Sequence, residues 1–582
     1  MGAGHPPETR APLPNPPLHA EGREPSCNIA ASLPRLARER PDQIAIRCPG
    51  RGGRYDIALT YAQLDARSDA IAAGLGKRGI ARGKRTVVMV RPTPEFFLLM
   101  FALFKAGAVP VLVDPGIDKR ALRQCLDEAQ AQAFIGIPLA HAARVLLRWA
   151  RSAQIRITTG ANAWLADATL TQVERAGRGA APQLADTDGD DIAAILFTSG
   201  STGVPKGVVY RHRHFVAQID MLRDAFGIAP GGIDLPTFPP FALFDPALGL
   251  TSIIPDMDPT RPAQADPRRL VRAIERFGVT QLFGSPALMD VLARHGAPLP
   301  TVCRVTSAGA PVAASVVAKM RSLLPDNAQF WTPYGATECL PVAVIEGREL
   351  VTLRERTEQG AGTCVGRAVA PNVVRLIRVD DGAIEHWSDD LMVAGGLVGE
   401  ITVAGPSATD TYFNRDAATR LAKIAEKFPG LAQAGEGWGE GARAAGQRIV
   451  HRMGDLGYVD GEGRLWFCGR KSQRVVTARG TLCTEQVEPV FNTHPEVRRT
   501  ALVGIGARGA QVPVLCVELR KGVARTEQER IAAELLHIGE GFVHTAKVET
   551  FLFHPGFPVD IRHNAKIGRE KLAAWAAKRV RA

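Results

Sequence analysis

The chain has 582 residues, of which 46% are hydrophobic and 22% charged, a composition typical of a large globular enzyme that excludes a largely disordered chain. Its formal charge of +12 comes from lysines and arginines spread along the sequence, which favours an ordinary basic surface over a nucleic-acid-binding tract. Nine cysteines without a C-x-x-C spacing argue against a disulfide framework or a zinc site and predict a reducing, cytoplasmic location.

Residues 1–26 are rich in proline and charge and lack the apolar core of a secretory signal, so we predict a disordered extension. The most apolar run, residues 96–104, is far shorter than the roughly 20 residues that cross a bilayer. It predicts a buried helix, and the chain is predicted to have no transmembrane segment.

Strands and helices alternate along the first half of the chain. Thr60 and Gln63 have the spacing of a capping box, which predicts a helix up to Gly79. Further helices are predicted over residues 33–40, 95–106 and 119–129, and strands over 43–48, 87–90, 109–113, 133–137, 279–283 and 302–306. This alternation predicts an α/β fold with parallel sheets covered by helices, in which ligands bind at the carboxyl ends of strands.

The pattern changes beyond about residue 365, where shorter strands and hairpins predict a small barrel-like subdomain with a surface loop over 430–446. A boundary at Gly469-Arg470 divides a large domain, 27–468, from a small one, 469–582. The small domain is predicted as α+β, with helices over 484–491 and 527–536 and strands over 499–503 and 512–519. Its G-x-G-x-x-G, residues 504–509, is predicted to be a turn between strands and not a dinucleotide site.

Residues 195–209 read as a strand, a loop rich in serine, threonine and glycine, and a second strand. Hydroxyls and glycine amides suit an anion, and Lys206 closes the loop, so the pattern indicates a polyphosphate grip. Pro205 before the lysine and Gly207 after it exclude a Walker A loop, which continues into a helix. A surface turn of the same composition is the simpler alternative.

The order of residues in this loop, TSGSTGVPKGV, closely resembles the signature of the adenylate-forming superfamily, which includes acyl-CoA synthetases, luciferases and adenylation domains. Other stretches resemble the family's later motifs in the same order: 306–311 (TSAGAP), 334–338 (YGATE), 452–458 (RMGDLGY), 469–470 (GR) and 564–569 (NAKIGR). The resemblance implies ATP and Mg²⁺ as cofactors, and a mobile small C-terminal domain.

The family's roles carry over to the matching positions. The implied ATP-binding residues are Thr198, Ser199, Gly200, Ser201, Thr202, Gly203, Lys206, Gly309, Ala310, Pro311, Tyr334, Gly335, Asp455 and Arg470. The implied catalytic residues are Thr337 at the α-phosphate, Glu338 as the Mg²⁺ ligand, and Lys566, which stabilises negative charge as acyl-AMP forms. Asp455 is expected to accept the ribose hydroxyls.

Four positions depart from the family pattern: Met453 replaces Thr or Ser, Gln473 replaces the hinge Asp or Lys, Ala565 replaces Gly, and Ala242 replaces a histidine common in acyl-CoA ligases. The changed hinge and the apolar stretch 238–250, an acyl-pocket wall around Phe241, make the chain most similar to the branch that forms β-lactones in bacterial long-chain olefin biosynthesis. That branch activates a long-chain 2-alkyl-3-hydroxy acid as acyl-AMP, and the substrate's 3-hydroxyl then displaces AMP.

Two alternatives stay open on the residues alone: a long-chain fatty acyl-CoA ligase, and a nucleotide-binding scaffold without turnover. The resemblance also implies assembly with a hydrolase and a reductase of the pathway. His212 and His214 follow the phosphate loop, and a structural or ATP-side role is expected for both. The sequence identifies no base for the 3-hydroxyl.

Overall fold

The computed structural model describes residues 27–114, 117–198, 205–427, 447–559 and 567–580. The extension predicted for 1–26 and the whole of the loop predicted for 430–446 lie outside these ranges.

The strands up to Arg470 form the two main sheets. They are β1 (Ile44–Cys48), β2 (Ile57–Thr60), β3 (Arg85–Met89), β4 (Val109–Val113), β5 (Ala133–Gly136), β6 (Ile155–Thr158), β7 (Ala168–Thr169), β8 (Ile192–Thr198), β9 (Lys206–Arg211), β10 (Ile233–Pro236), β11 (Thr251–Ile253), β12 (Gln281–Gly284), β13 (Arg304–Ser307), β14 (Gln329–Ala336), β15 (Cys339–Glu346), β16 (Thr363–Ala368), β17 (Val373–Ile377), β18 (Gly399–Ala404), β19 (Lys423–Lys427), β20 (Gln447–Val459) and β21 (Leu465–Arg470). The later strands are β22 (Val475–Thr477), β23 (Gly480–Leu482), β24 (Val497–Ile505), β25 (Val512–Leu519) and β26 (Thr550–Phe553).

Helices cover the sheets. They are α1 (Ser32–Glu39), α2 (Tyr61–Gly76), α3 (Pro94–Lys105), α4 (Lys119–Ala129), α5 (Pro138–Leu147), α6 (Leu170–Gly177), α7 (His212–Phe226), α8 (Asp245–Leu248), α9 (Pro267–Phe277), α10 (Pro286–His295), α11 (Ala314–Arg321), α12 (Gly347–Thr352), α13 (Arg354–Glu358), α14 (Asp416–Ala422), α15 (Thr484–Phe491), α16 (Gln528–Glu540) and α17 (Arg569–Val580).

Local sequence explains where several helices begin. Thr60 and Gln63 form the predicted capping box at α2, with a distance of 3.2 Å from the Gln63 amide nitrogen to Thr60 Oγ1. The apolar run predicted as a buried helix is α3, which is buried along its length from Phe96 to Phe104. Among the helices of the described ranges, none combines the length and hydrophobicity that crossing a bilayer requires.

The first large sheet has seven strands in the order β7-β6-β5-β3-β4-β8-β9. Its strands run parallel except β9, which returns antiparallel to β8. The second sheet has a parallel part, β1-β11-β10-β12-β13-β14, and continues through β15 into antiparallel strands. Of these antiparallel strands, β16 to β21 correspond to the subdomain of short strands and hairpins predicted beyond about residue 365, and β15 precedes it.

The last part of the chain has its own three-stranded sheet, β24-β25-β26, with α15, α16 and α17 packed against it. Its core is separate from those of the large sheets and includes Phe491, Leu502, Leu515 and Ile531. Residues 506–511 connect the antiparallel strands β24 and β25, so the predicted turn is confirmed there. The fold is therefore a mixed α/β architecture with a small C-terminal α+β part, as predicted.

Candidate active site

The predicted phosphate loop joins two hydrogen-bonded strands. Thr198 at the end of β8 is opposite Lys206 at the start of β9, so the base of the loop is closed by the hairpin. The predicted loop residues Ser199, Gly200, Ser201, Thr202 and Gly203, and the side chain of Thr198, lie outside the described residues. The described part of the hairpin positions Lys206, whose ammonium lies 4.9 Å from the centre of the Tyr412 ring.

A short segment covers the free edge of β9. Val208 forms an antiparallel bridge with Tyr412, the Phe413 amide donates to the Gly207 carbonyl at 2.8 Å, and the Val209 amide donates to the Thr411 carbonyl at 3.2 Å. This segment, residues 411–413, is called the edge segment below. It brings Tyr412 from the second half of the chain to Lys206.

A cavity of roughly 2240 Å³ lies between the two large sheets and reaches the C-terminal part of the chain. It is larger than the 300–1,000 Å³ of an ordinary small-molecule site, which leaves room for a nucleotide and a long acyl group together. The predicted site residues that line it are Lys206, Gly309, Ala310, Pro311, Tyr334, Gly335, Thr337, Glu338, Asp455 and Arg470. Five separate sequence stretches therefore meet at one cavity.

Tyr334, Asp455 and Arg470 form one contact group on the cavity wall. The Tyr334 hydroxyl donates to Asp455 Oδ2 at 2.6 Å, and Arg470 Nη1 forms an ion pair with Asp455 Oδ1 at 2.8 Å. Burial raises the pKa of Asp455, while Arg470 and Tyr334 act to lower it. The carboxyl is thus held at the cavity wall by one cationic and one hydroxyl donor.

Thr337 and Glu338 occupy the turn between β14 and β15. The Tyr210 hydroxyl donates to the Thr337 carbonyl at 2.5 Å, and the Thr409 amide and hydroxyl both donate to the Glu338 carbonyl at 2.9 Å. A strand hairpin therefore presents this carboxylate to the cavity.

The sequence did not single out Tyr412, which forms a hydrogen bond with Glu338. Its hydroxyl donates to Glu338 Oε1 at 2.7 Å. Behind it, Lys423 is buried and its ammonium lies 3.2 Å from Thr409 Oγ1. Burial lowers the pKa of Lys423 to about 8, and the nearby Glu338 acts against that shift. Neither residue belongs to a matched motif or a periodic pattern, so only the folded chain reveals them.

The acyl-pocket wall predicted around Phe241 is an aromatic cluster. The Phe241 ring centre lies 4.5 Å from that of Phe283, 5.4 Å from that of Phe238 and 6.4 Å from that of Phe244. All four rings line the cavity. Ala242, which stands where acyl-CoA ligases often have histidine, is fully buried in the core.

Gln473, at the changed hinge position, contacts the last helix. Its side-chain oxygen accepts from Arg569 Nε at 3.1 Å, and Arg569 Nη2 also donates to Glu488 at 2.9 Å. Arg569 ends the motif that contains Lys566. Lys566 itself and Ala565 lie outside the described residues.

His212 and His214 are buried. The ring of His212 accepts from the Ile29 amide at 3.2 Å, and that of His214 accepts from the Arg211 amide at 3.0 Å. Burial lowers the pKa of each to about 4, so both are neutral at physiological pH. Of the structural and ATP-side roles expected from the sequence, these contacts favour the structural one.

Comparison with known proteins places these features in a family. Residues 33–413 match the family model described as AMP-binding enzyme. The chain is 69% identical over 95% of its length to the olefin β-lactone synthetase of Xanthomonas campestris pv. campestris, and 68% identical over 95% of its length to that of Stenotrophomonas maltophilia; each alignment covers 98% of the relative. Among solved structures, the amide bond synthetase McbA from Marinactinospora thermotolerans aligns with a TM-score of 0.72 and 23% identity, over 94% of this chain and 99% of that one. This last likeness concerns the fold.

Proposed function

The chain belongs to the AMP-binding enzyme family, and on that premise we propose that it is an ATP-dependent olefin β-lactone synthetase. It activates the carboxylate of a long-chain 2-alkyl-3-hydroxy acid and then closes a four-membered lactone. The observation that carries this proposal is the 68–69% identity to two olefin β-lactone synthetases over nearly the whole chain. The cavity supports it with the polar groups and aromatic wall that the reaction needs.

The first step joins the substrate to AMP. A carboxylate oxygen of the acid attacks the α-phosphorus of ATP, and pyrophosphate leaves with the electron pair of the broken P–O bond. Lys206 and the phosphate loop bind the departing phosphates, and Thr337 contacts the α-phosphate. Lys566 stabilises the negative charge that develops, and Asp455 accepts the ribose hydroxyls.

The proposed position of adenine is against the small residues Gly309, Ala310 and Pro311. Tyr334 flanks the adenine, Gly335 belongs to the same ATP-binding set, and Arg470 contacts the ribose or the α-phosphate. Their common position at the cavity supports this assignment. The ion pair with Arg470 and the bond from Tyr334 keep the Asp455 carboxyl aimed at the nucleotide.

Glu338 fits a magnesium ion. A Mg²⁺ ion bound to a nucleotide takes one or two protein carboxylates and keeps several waters. Glu338 offers one carboxylate at the cavity wall, with Oε1 already oriented by Tyr412. When bound, the ion would neutralise phosphate charge, and Glu338 is the residue that would hold it.

The second step forms the lactone. The oxygen of the substrate's 3-hydroxyl attacks the acyl carbonyl carbon, AMP leaves with the electron pair of the acyl–phosphate bond, and the hydroxyl proton passes to a base at the site. The ring is strained, so the hydroxyl and carbonyl must be held close together and water excluded. The aromatic cluster of Phe238, Phe241, Phe244 and Phe283 supplies an apolar surface for this purpose.

The same proposal divides the chain into a large domain, 27–468, and a small domain, 469–582. The small domain moves between the two steps. The separate cores on the two sides of the boundary support it. So does the contact of Gln473 with Arg569, which links the boundary to the last helix. Assembly with a hydrolase and a reductase of the same pathway is proposed from the resemblance alone.

A product assay tests the proposal. Purified protein is incubated with ATP, Mg²⁺ and a 2-alkyl-3-hydroxy acid, with and without CoA, and products are identified by mass. We expect the β-lactone, AMP and pyrophosphate without CoA. Acyl-CoA formed only when CoA is present would identify an acyl-CoA ligase instead. Absence of pyrophosphate under both conditions would favour a nucleotide-binding scaffold.

A further inference from the structure

Helix α5 and the loop beside it expose four large apolar side chains. Leu139 is 69% exposed, Val145 50%, Leu146 81% and Trp164 74%. Leu139, Ala143 and Leu146 follow each other at helical spacing, so they share one face of α5. These four side chains, Leu139, Val145, Leu146 and Trp164, are called the α5 patch below. Grouped exposed apolar residues mark surfaces that bind a partner.

The loop that carries Trp164 is held against α5. Arg144 Nη2 donates to the Leu165 carbonyl at 3.3 Å, and the Arg144 guanidinium lies 5.8 Å from the centre of the Phe134 ring. At the other end of the loop, a Cβ added at Gly160 would lie 2.5 Å from the ring of Pro138. Because the loop is packed against α5 at both ends, Trp164 is exposed on a segment that adjoins this helix.

Two arginines next to the patch are available to an anionic partner. Arg148 ends α5 and Arg151 follows it, and both are exposed. Within the described part of the chain, neither forms an ion pair with a carboxylate, whereas the nearby Arg156 is paired with Asp167 at 2.6 Å. Exposed and unneutralised positive charge therefore borders the apolar side chains of the α5 patch.

The patch also borders the active-site cavity. Leu139, Ala140 and Ala143 line that cavity, and Leu139 is exposed to solvent as well. One edge of the α5 patch is thus an edge of the cavity. An amphiphile leaving a surface in contact with α5 would reach the cavity along apolar side chains.

We propose that the α5 patch docks on an anionic lipid bilayer, with Leu146 and Trp164 in the interface and Arg148 and Arg151 at the headgroups. Apolar and aromatic side chains flanked by arginine have the chemistry of an interfacial helix. Passage of the substrate from the bilayer into the cavity past Leu139 rests on the proposed function, since an acid with two long alkyl chains partitions into lipid. Docking itself does not depend on it.

Vesicle sedimentation tests the docking. The full chain is mixed at low salt with vesicles of phosphatidylglycerol and phosphatidylcholine, or with vesicles of phosphatidylcholine alone. We expect binding to the anionic vesicles that weakens by at least tenfold in the Leu146→Glu/Trp164→Glu variant. Arg148→Gln/Arg151→Gln should remove the preference for anionic lipid. The matched control, Leu397→Glu/Val543→Glu, changes exposed apolar residues elsewhere and should bind as the unmodified chain does.

Absence of binding to anionic vesicles, or an equal loss in the control, would overturn the proposal. The proposal would also be overturned if the Leu146→Glu/Trp164→Glu variant kept its vesicle binding but lost association with another protein. The partner that covers the α5 patch would then be a protein. Pyrophosphate release from a detergent-dispersed acid should be the same in the patch variant and the unmodified chain. If the unmodified chain releases none, the proposed function fails, and the vesicle result still decides the docking.

Discussion

At the scale of single residues, the chemistry of the site depends on partners that are distant in sequence. Tyr334 and Asp455 are 121 positions apart, and Glu338 and Tyr412 are 74 apart. Tyr334, Glu338 and Asp455 could be proposed as site residues because the stretches that contain them, 334–338 and 452–458, resemble motifs of a known family. Tyr412 could not, since its role depends on a contact that only the folded chain creates.

The hydroxyl of Tyr412 should matter for adenylation. Tyr412→Phe removes the hydrogen bond to Glu338 Oε1 and is expected to slow ATP–pyrophosphate exchange by about 10-fold, because a hydrogen bond to a charged group contributes about 1.5–3 kcal/mol. The Mg²⁺ concentration for half-maximal rate should rise. Tyr458→Phe is the control, since the Tyr458 ring stacks on Trp466 in the antiparallel strands. An unchanged exchange rate in Tyr412→Phe would remove Tyr412 from the site.

The motif that contains Lys566 predicts that this lysine takes part in the formation of acyl-AMP. Lys566→Ala should slow acyl-AMP formation by about 100-fold, on the order of the loss of one transition-state donor, while ATP binding stays nearly unchanged. Quenched-flow measurement of acyl-AMP and equilibrium ATP binding separate the two effects. Lys578→Ala changes another lysine of the same terminal region and serves as the control. Normal acyl-AMP formation in Lys566→Ala would exclude this lysine from the chemistry.

At the scale of elements, strand β10 and helix α8 bring two carboxyl groups together inside the molecule. Asp234 in β10 and Asp245 in α8 share a hydrogen bond, and Ser252 Oγ donates to Asp245. Both side chains are buried and line the cavity. Burial raises the pKa of Asp234 to about 7 and, together with the Asp234 charge, raises that of Asp245 well above its usual range.

This pair predicts how stability depends on pH. The raised pKa means that folded Asp234 keeps a proton that the unfolded chain loses near pH 4, so its contribution to stability falls as pH rises from about 4 to about 7. Asp234→Asn mimics the protonated carboxyl. Its unfolding free energy should be close to that of the unmodified chain at pH 4 and higher at pH 8, by roughly 2–4 kcal/mol, which a higher thermal midpoint at pH 8 would show.

Asp258→Asn is the control for that measurement, because Asp258 is mostly solvent-facing, in a turn with Thr260. Parallel pH curves for Asp234→Asn and the unmodified chain would show that Asp234 is ionised in the folded state.

The pairing of Asp234 with Asp245 could not be predicted from the sequence, since an isolated aspartate in a strand and another before a proline look like surface residues. By contrast, the capping box of α2 depends on adjacent residues, and the sequence predicts it directly.

At the scale of the whole molecule, the cavity joins both large sheets and the C-terminal part, so nucleotide binding should stabilise all of them. A non-hydrolysable ATP analogue at about 100 times its Kd should add roughly 2.7 kcal/mol, which for a chain of this size raises the thermal midpoint by about 2 °C. Differential scanning fluorimetry measures the shift. Asp455→Asn should reduce it, and Asp460→Asn, a change outside the cavity, should not.

A midpoint shift of equal size in both variants would contradict the assignment of Asp455 to the nucleotide.

The alternation of strands and helices was enough to predict the α/β class and the separate C-terminal part. It could not predict that β15 continues the parallel sheet into the antiparallel strands, because that junction depends on hydrogen bonds between strands and not on the period of either.

The edge segment over β9 has a consequence for solubility. An uncovered edge strand can pair with a strand of another molecule and start aggregation. Residues 411–413 already occupy the backbone groups of Gly207 and Val209 at that edge. The same three residues that bring Tyr412 to Glu338 therefore also protect the outermost strand of the seven-stranded sheet from intermolecular pairing. Substitutions that loosen this segment should be selected against because they promote aggregation as well as because they impair catalysis.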